Sequence, residues 1–108
     1  MATKIKQGDA YAIPVRLRLD GELIDAQEVE AVEFCLGGGL RKLYPGEVRY
    51  EPEDNSFRLP LSQEETFAFP ANGSVALDVR VKFAGGDVVG VLRPEALAVY
   101  DAESEVVL

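Results

Sequence analysis

The sequence predicts an all-β fold: an antiparallel β-sandwich of about seven or eight strands, with one short helical turn near residues 63–67. Two long segments, residues 11–19 and 75–83, carry an apolar residue at every second position, the pattern of a strand with one buried face. Turn-forming residues recur roughly every 8–12 positions, as in antiparallel sandwiches. The length of 108 residues suits one core, so we expect a single domain over residues 1–108.

The first strands are predicted from the alternating apolar residues and from the proline and turn residues that interrupt them. A short strand at residues 4–6 precedes the long strand, which we place at residues 10–19 with its odd-numbered side chains facing the core. Pro14 lies inside this strand. Because proline has no backbone N–H to donate, the strand must lie at a sheet edge or carry a bulge. Asp20 and Gly21 then predict a tight turn.

The segment 29–36 is ambiguous, because its apolar residues recur at both helical and strand spacing. Its aromatic and β-branched content and the three glycines at residues 37–39 favour a strand. We therefore predict a strand here, followed by short strands at residues 40–44 and 48–50.

The second half of the chain continues the strand pattern after one helical turn. Ser62 and Glu65 have the spacing of a capping box, in which each side chain accepts a hydrogen bond from the backbone N–H of the other residue. The paired glycines at residues 85–86 predict a hairpin. The remaining strands are predicted at residues 57–61, 75–83, 88–92 and 97–100.

Residues that commonly act in nucleophilic catalysis or bind zinc are scarce in this chain. The chain has no histidine and one cysteine, Cys35, which we expect to be a half-buried thiol without special reactivity. Nucleophilic catalysis therefore lacks its usual base, and a zinc site lacks its usual ligands. The acidic groups at residues 51–54 and 64–65 fall on predicted turns and a helix start, where acids are favoured. We predict no catalytic, cofactor-binding or metal-binding residues, and no enzyme.

The balance of charge disfavours several classes of partner. Nineteen acidic against eleven basic residues give a net charge of -8, which repels the phosphates of nucleic acids and anionic lipid heads. No apolar stretch approaches the ~20 residues that would span a bilayer, and the first residues lack the apolar part of a signal peptide. We expect no nucleic-acid or membrane partner, and folding in a reducing cytoplasm.

Basic residues mark the outer faces of both long strands. Arg16 and Arg18 share one side of the first strand, and Arg80 and Lys82 share one side of the second. The simplest interpretation is two solvated faces, since antiparallel sheets usually expose one side. If the two faces are adjacent, they form a basic stripe that could bind the acidic surface of a partner.

The end of the chain is apolar, whereas chain ends are usually polar and frayed unless they are docked. The tail either pairs with its own sheet or binds a partner. The candidate interface residues are Val106, Val107, Leu108, Arg16 and Arg18.

Several segments, taken in order, carry a resemblance to a known family. They are Ile5-Lys6-Gln7-Gly8-Asp9-Ala10-Tyr11, Val32-Glu33-Phe34, Leu61-Ser62-Gln63-Glu64-Glu65-Thr66-Phe67, Val79-Arg80-Val81-Lys82-Phe83, Gly85-Gly86-Asp87-Val88, and the ending from Val99-Tyr100 to Leu108. Together they resemble the N-terminal immunoglobulin-like domain of phage baseplate upper proteins and related small proteins of phage and prophage tail modules. The resemblance implies an immunoglobulin-like β-sandwich that is a non-enzymatic virion component, made in the bacterial cytoplasm.

In longer relatives this domain precedes a region that carries the tail fibre or receptor-binding assembly, so the resemblance implies an adaptor or accessory module. Its partners would be other tail or baseplate proteins, and a homo-oligomer is left open. The alternative is a glycan-binding or adhesion module, which needs exposed aromatic side chains. A third hypothesis, an acidic inhibitor that mimics nucleic acid, needs its carboxylates in one patch.

Overall fold

The computed structural model of the chain describes residues 3–19, 21–37, 39–69, 73–90 and 96–100. Residues 3, 19 and 96–100 are described by their backbone alone. The tail residues Val106, Val107 and Leu108 lie outside the described residues, as do Asp20 and Gly38.

The described residues form a β-sandwich, as the sequence predicts. Strands of the first half are β1 (Thr3–Lys6), β2 (Tyr11–Val15), β3 (Arg18–Leu19), β4 (Glu22–Leu23), β5 (Val29–Leu36) and β6 (Leu40–Tyr44). Strands of the second half are β7 (Arg49–Glu51), β8 (Ser56–Leu61), β9 (Gly73–Phe83), β10 (Val88–Gly90) and β11 (Ala96–Tyr100). A 3-10 turn (Ala26–Glu28) precedes β5, and one short helix, α1 (Gln63–Phe67), follows β8.

The strand order is that of an immunoglobulin-like sandwich. The large sheet has the order β1-β11-β9-β5-β6, with β10 also paired to β9, and the small sheet has the order β2-β8-β7. Of these, β11, β9, β5 and β6 correspond to the G, F, C and C′ strands of immunoglobulin domains, and β2, β8 and β7 correspond to the B, E and D strands. Strands β3 and β4 form a separate hairpin. One expectation needs correction: β1 pairs with β11 in parallel, so the sandwich is not wholly antiparallel.

Apolar and polar side chains alternate along the strands, and the apolar ones form one core between the two sheets. Apolar side chains at every second position are buried, and polar side chains at the intervening positions face outward. The small sheet contributes Ile13, Val15, Phe57, Leu59 and Leu61, and the large sheet contributes Val32, Phe34, Leu36, Val75, Leu77, Val79 and Val81.

Phe57 of β8 lies at the centre of an aromatic cluster and has no exposed surface. Its ring centroid lies 6.1 Å from that of Phe34, 5.1 Å from that of Tyr44 and 5.0 Å from that of Tyr50. Tilted and edge-on contacts of this kind stabilise aromatic pairs beyond the burial of their area. Because Phe34 and Tyr44 belong to the large sheet, this cluster joins the two layers.

The first long strand is shorter than its alternation predicts. β2 ends at Val15 instead of continuing to residue 19, because its partner β8 begins at Ser56 and the chain beyond Val15 has no strand there to pair with. Leu17 is nevertheless buried. Tyr11 was predicted to face the core and is 44% exposed. It occupies the first position of its strand, where the sheet ends.

Pro14 lies on an edge strand, one of the two outcomes predicted for it. Within the described part of the chain, β2 pairs with β8 alone. The missing N–H of proline is therefore tolerated. The segment 29–36 is a strand, which resolves its ambiguity as predicted.

The capping box at the start of α1 is also confirmed. The Ser62 hydroxyl accepts from the Glu65 N–H at 3.1 Å, and the Glu65 carboxylate accepts from the Ser62 N–H at 2.8 Å. These bonds satisfy backbone donors that the helix itself leaves unpaired. In the described ranges no helix is long and apolar enough to cross a membrane.

Helix α1 makes hydrogen bonds to the connector between β1 and β2, which consists of residues 7–10. The Gly8 N–H donates to the Thr66 hydroxyl at 2.9 Å, and this hydroxyl donates to the Asp9 carbonyl at 2.9 Å. Gly8 has a φ of 89°, in the region that favours glycine, and a Cβ there would lie 2.8 Å from the Phe67 ring. The connector therefore needs glycine both for its backbone and for its contact with Phe67.

Gly8→Ala should destabilise the protein more than Gly21→Ala. Gly21 also has a positive φ, 84°, but its Cβ would meet nothing within 4 Å. We expect Gly21→Ala to lower the free energy of unfolding by about 1 kcal/mol, from backbone strain alone. Gly8→Ala should lower it by about 2–4 kcal/mol, because overpacking against Phe67 is added. Urea denaturation measures both, and equal losses would contradict this account of the connector.

Candidate functional site

Two of the predicted interface residues, Arg16 and Arg18, lie in the described part of the chain, directly after β2 and at the start of β3. Arg16 donates from Nε to the Asp54 carbonyl at 3.0 Å and from Nη2 to the Asp54 carboxylate at 3.3 Å. Arg18 donates to the Gly21 carbonyl at 3.4 Å. The three tail residues of the predicted interface are outside the described residues.

The basic stripe that would join these arginines to Arg80 and Lys82 does not form. β2 belongs to the small sheet and β9 to the large sheet, so the outer faces of the two strands point in opposite directions. On the large sheet the Lys82 ammonium lies 3.2 Å from the Glu30 carboxylate, and Arg80 lies opposite Glu33 in the register. The basic residues of the two long strands therefore belong to separate surfaces.

The small sheet instead presents an arginine face, which consists of Arg16, Arg49 and Arg58. β8 buries the side chains on either side of Arg58, so Arg58 points outward. Arg49 of β7 lies directly opposite Arg58 in the register, and Pro14 of β2 lies opposite Arg58 on the other side. Two arginines and a proline thus form one row across the three strands.

Asp54 links two arginines of this face. Its carboxylate accepts from Arg58 Nη2 at 2.8 Å and from the Ser56 hydroxyl at 2.6 Å, in addition to Arg16. The Ser56 hydroxyl lowers the pKa of Asp54 most; partial burial opposes this effect, and Arg58 and Arg16 lower the pKa further. Asp54 therefore stays charged well into the acidic range and holds Arg16 and Arg58 in place.

A shallow depression lies beside the arginine face, between the β6–β7 turn and the 3-10 turn. We call it the tyrosine depression; its volume is about 580 Å³, and its lining includes Asp25, Gln27, Tyr44, Pro45, Arg49 and Tyr50. Both tyrosine rings are half-buried against Phe57. The Tyr50 hydroxyl donates to the Asn55 side chain at 2.8 Å. Arg49 belongs to both features and connects them.

Asp25, the carboxylate of the tyrosine depression, has a structural contact. It accepts from the Gln27 N–H at 2.9 Å and so caps the 3-10 turn. Burial, followed by the nearby Asp25 charge, raises the pKa of Tyr50, so the Tyr50 hydroxyl keeps its proton and remains a donor.

Three members of the acidic clusters at residues 51–54 and 64–65, Glu51, Asp54 and Glu65, make structural contacts. Glu65 belongs to the capping box and also lies 2.9 Å from the Lys42 ammonium. Burial alone would raise the pKa of Glu65, but the Ser62 N–H and Lys42 lower it overall. In the part of the chain that the structure describes, no group of three or more side chains could hold a metal ion.

Cys35 lies on the outer side of the large sheet and is half-buried, as the sequence predicts. Burial raises the pKa of its thiol, and the Glu33 carboxylate raises it further. Glu33 is itself kept ionised by the hydrogen bond from Arg41, which lowers its pKa. A thiol in these surroundings is a poor nucleophile, because the thiolate is the reactive form.

Arg49 and Arg58 are absent from the residues that the sequence singles out. For Arg58 a signal exists, because Phe57 and Leu59 must point inward and so leave it outside. For Arg49 the sequence carries no such signal, because its position opposite Arg58 depends on the register between β7 and β8.

Comparison of the chain with protein-family models, with curated proteins and with solved structures gives no match in any of the three. The function is therefore inferred from the residues and their geometry, and the resemblance to phage baseplate domains stays a prediction.

The Asp54 contacts should stabilise the folded protein in a pH-dependent way. Because folding lowers the pKa of Asp54, its contribution is present above the ordinary aspartate pKa of about 3.9 and is lost as the pH falls through the lower folded value. Urea denaturation should show Asp54→Asn less stable than wild type at pH 7, with the difference closing toward pH 2. Asp87→Asn, in the exposed β9–β10 turn, is the control. A difference that persists undiminished at pH 2 would refute this role.

Proposed function

We propose that this chain is a non-enzymatic structural or adaptor module of a phage or prophage tail or baseplate, which assembles with other tail proteins through protein–protein contacts. It is made in the bacterial cytoplasm and becomes part of the virion. The resemblance in sequence supports this proposal, and the immunoglobulin-like strand order is the fold that the resemblance implies. Gly8 and the Ser62–Glu65 capping box, which belong to the resembling segments, have structural roles in the chain.

The observation that carries the proposal is the exposed strand β10. Val88 and Val89 are 54% and 36% exposed. Within the described residues β10 pairs with β9 alone. An edge strand offers unpaired backbone N–H and C=O groups to another chain, and exposed apolar side chains add contact area. Natural sheets usually protect such an edge with charge or proline, so an edge with two valines favours a docking role.

We expect mass spectrometry of purified phage or tail particles from a producing culture to detect this chain. Val88→Glu should reduce its amount in particles, because a carboxylate on the edge disfavours docking of a partner strand. Lys82 lies opposite Val88 in the register and can pair with the new charge, so the fold should tolerate the change. Ala84→Glu, at an exposed position of the same hairpin, is the matched control.

Absence of the wild-type chain from particles would contradict the proposal itself. Equal incorporation of Val88→Glu and Ala84→Glu would show that β10 is not the docking edge.

A glycan-binding or adhesion module is the second candidate, and the tyrosine depression is the observation that favours it. Tyr44 and Tyr50 provide aromatic surface, and Gln27 and Arg49 provide polar groups beside it. Small-ligand sites combine apolar and aromatic walls with a few polar groups in this way.

A glycan array probed with the labelled protein separates the two candidates. We expect no reproducible binding, because both tyrosine rings pack against Phe57 and offer only part of their surface to a sugar. A reproducible hit that Gln27→Ala weakens would favour the glycan-binding module instead.

A further inference from the structure

The connector between β1 and β2 is fastened to α1 by a set of hydrogen bonds among Gly8, Asp9, Gln63 and Thr66, which we call the α1 clamp. The Thr66 hydroxyl accepts from the Gly8 N–H at 2.9 Å and donates to the Asp9 carbonyl at 2.9 Å. The Gln63 side chain donates to the Gly8 carbonyl, also at 2.9 Å. Thr66 is 1% exposed, so water can hardly replace these partners of its hydroxyl.

The strand that the connector carries, β1, makes contacts that a second copy of the chain could also provide. β1 pairs in parallel with β11, and within the described residues it pairs with no other strand. Its residue Ile5 is 2% exposed and belongs to the core. A second copy carries the same strand with the same isoleucine. The β1–β11 ladder and the packing of Ile5 would therefore be the same if two copies exchanged their β1 strands.

The connector distinguishes the closed chain, with β1 in its own sandwich, from an exchanged pair. In the closed chain the connector turns back on itself. The Lys6 N–H donates to the Asp9 carboxylate at 2.9 Å, and the Asp9 N–H donates to the Lys6 carbonyl at 3.0 Å. To reach a second sandwich, residues 7–10 must extend, and they then span at most ~14 Å. An extended connector can form neither this turn nor the α1 clamp.

We propose that the α1 clamp is a lock that keeps β1 in its own sandwich and prevents its exchange with a second copy of this chain. With the clamp intact, the closed chain has hydrogen bonds that the exchanged dimer lacks. With the clamp broken, the two forms share the same ladder and the same core contact, and protein concentration decides between them. The inference does not depend on the proposed function. It gives a physical route to the homo-oligomer that the sequence leaves open.

The charge of the chain acts in the same direction as the clamp. Each copy carries a net charge of -8, so two copies repel each other at low ionic strength. Salt screens this repulsion. Exchange should therefore be favoured by raised salt once the clamp is broken.

Thr66→Val tests the lock on the full chain, because valine keeps the shape of threonine and removes the hydroxyl. Sedimentation velocity after incubation at raised protein and salt concentration measures the dimerisation constant. We expect it to rise about a hundredfold over wild type, about tenfold for each copy that no longer has the Thr66 bonds to lose when it opens. Thr66→Ser keeps the hydroxyl and should behave like wild type. Gly21→Ala, which strains a turn far from the clamp in sequence, is the control for destabilisation alone.

Gly8→Ala tests the lock from the side of the connector. A Cβ at Gly8 would lie 2.8 Å from the Phe67 ring in the closed chain, and an extended connector would relieve this contact. We expect Gly8→Ala to dimerise as Thr66→Val does, so either variant tests the proposal if the other fails to fold. Inserting Gly-Ser-Gly-Ser after Gly8 should return both variants to monomers, because a longer connector lets β1 fold back without the tight turn.

An unchanged dimerisation constant in a folded Thr66→Val or Gly8→Ala variant would overturn the proposal. An equal rise in Gly21→Ala would also overturn it, because instability alone would then cause dimerisation. Dimers that persist after the insertion would assign the contact between copies to another surface, which would equally rule out the lock.

Discussion

The packing of the two sheets around Phe57 is the constraint on which the rest of the structure depends. Phe57 contacts Phe34 and Tyr44 of the opposite layer and Tyr50 of its own sheet. Truncating a buried aromatic side chain costs about 3–5 kcal/mol, a large share of the roughly 5–15 kcal/mol that stabilises a small domain. Because Tyr50 and Phe57 are in register and point inward, the next positions, Arg49 and Arg58, must point outward side by side. The packing of the core thus places Arg49 and Arg58 side by side on the surface.

The like-charge pair is tolerated because water screens it and because Asp54 compensates part of it. Charges at an exposed face interact weakly compared with buried ones. Asp54 accepts hydrogen bonds from Arg58 and Arg16, which leaves Arg49 as the uncompensated member. Positions that conflict with local rules of stability are where binding functions are expected. The Arg49–Arg58 pair and the exposed valines of β10 are two such positions, and they lie on different sheets.

Much of the fold could be predicted because its signals are local. The alternation in β9, the capping box of α1 and the turn glycines are set by neighbouring residues, and the structure confirms them. The length of β2 could not be predicted, since its alternation continues to residue 19 while its partner strand begins at Ser56. Strand ends depend on the partner, and the partner is distant in sequence.

Some features of the candidate site could likewise be predicted from the sequence, and others depend on contacts between distant segments. The sequence by itself determined that Arg58 faces outward and that the strand of Pro14 lies at an edge or carries a bulge, because pleating and the missing proline N–H act within one strand. Only the tertiary structure decided that Arg16 meets Asp54, 38 residues away. It also decided that Arg49 lies beside Arg58, and that Arg80 and Lys82 belong to the opposite surface. These relations depend on register and on the division of strands between two sheets, which are set by packing between distant segments.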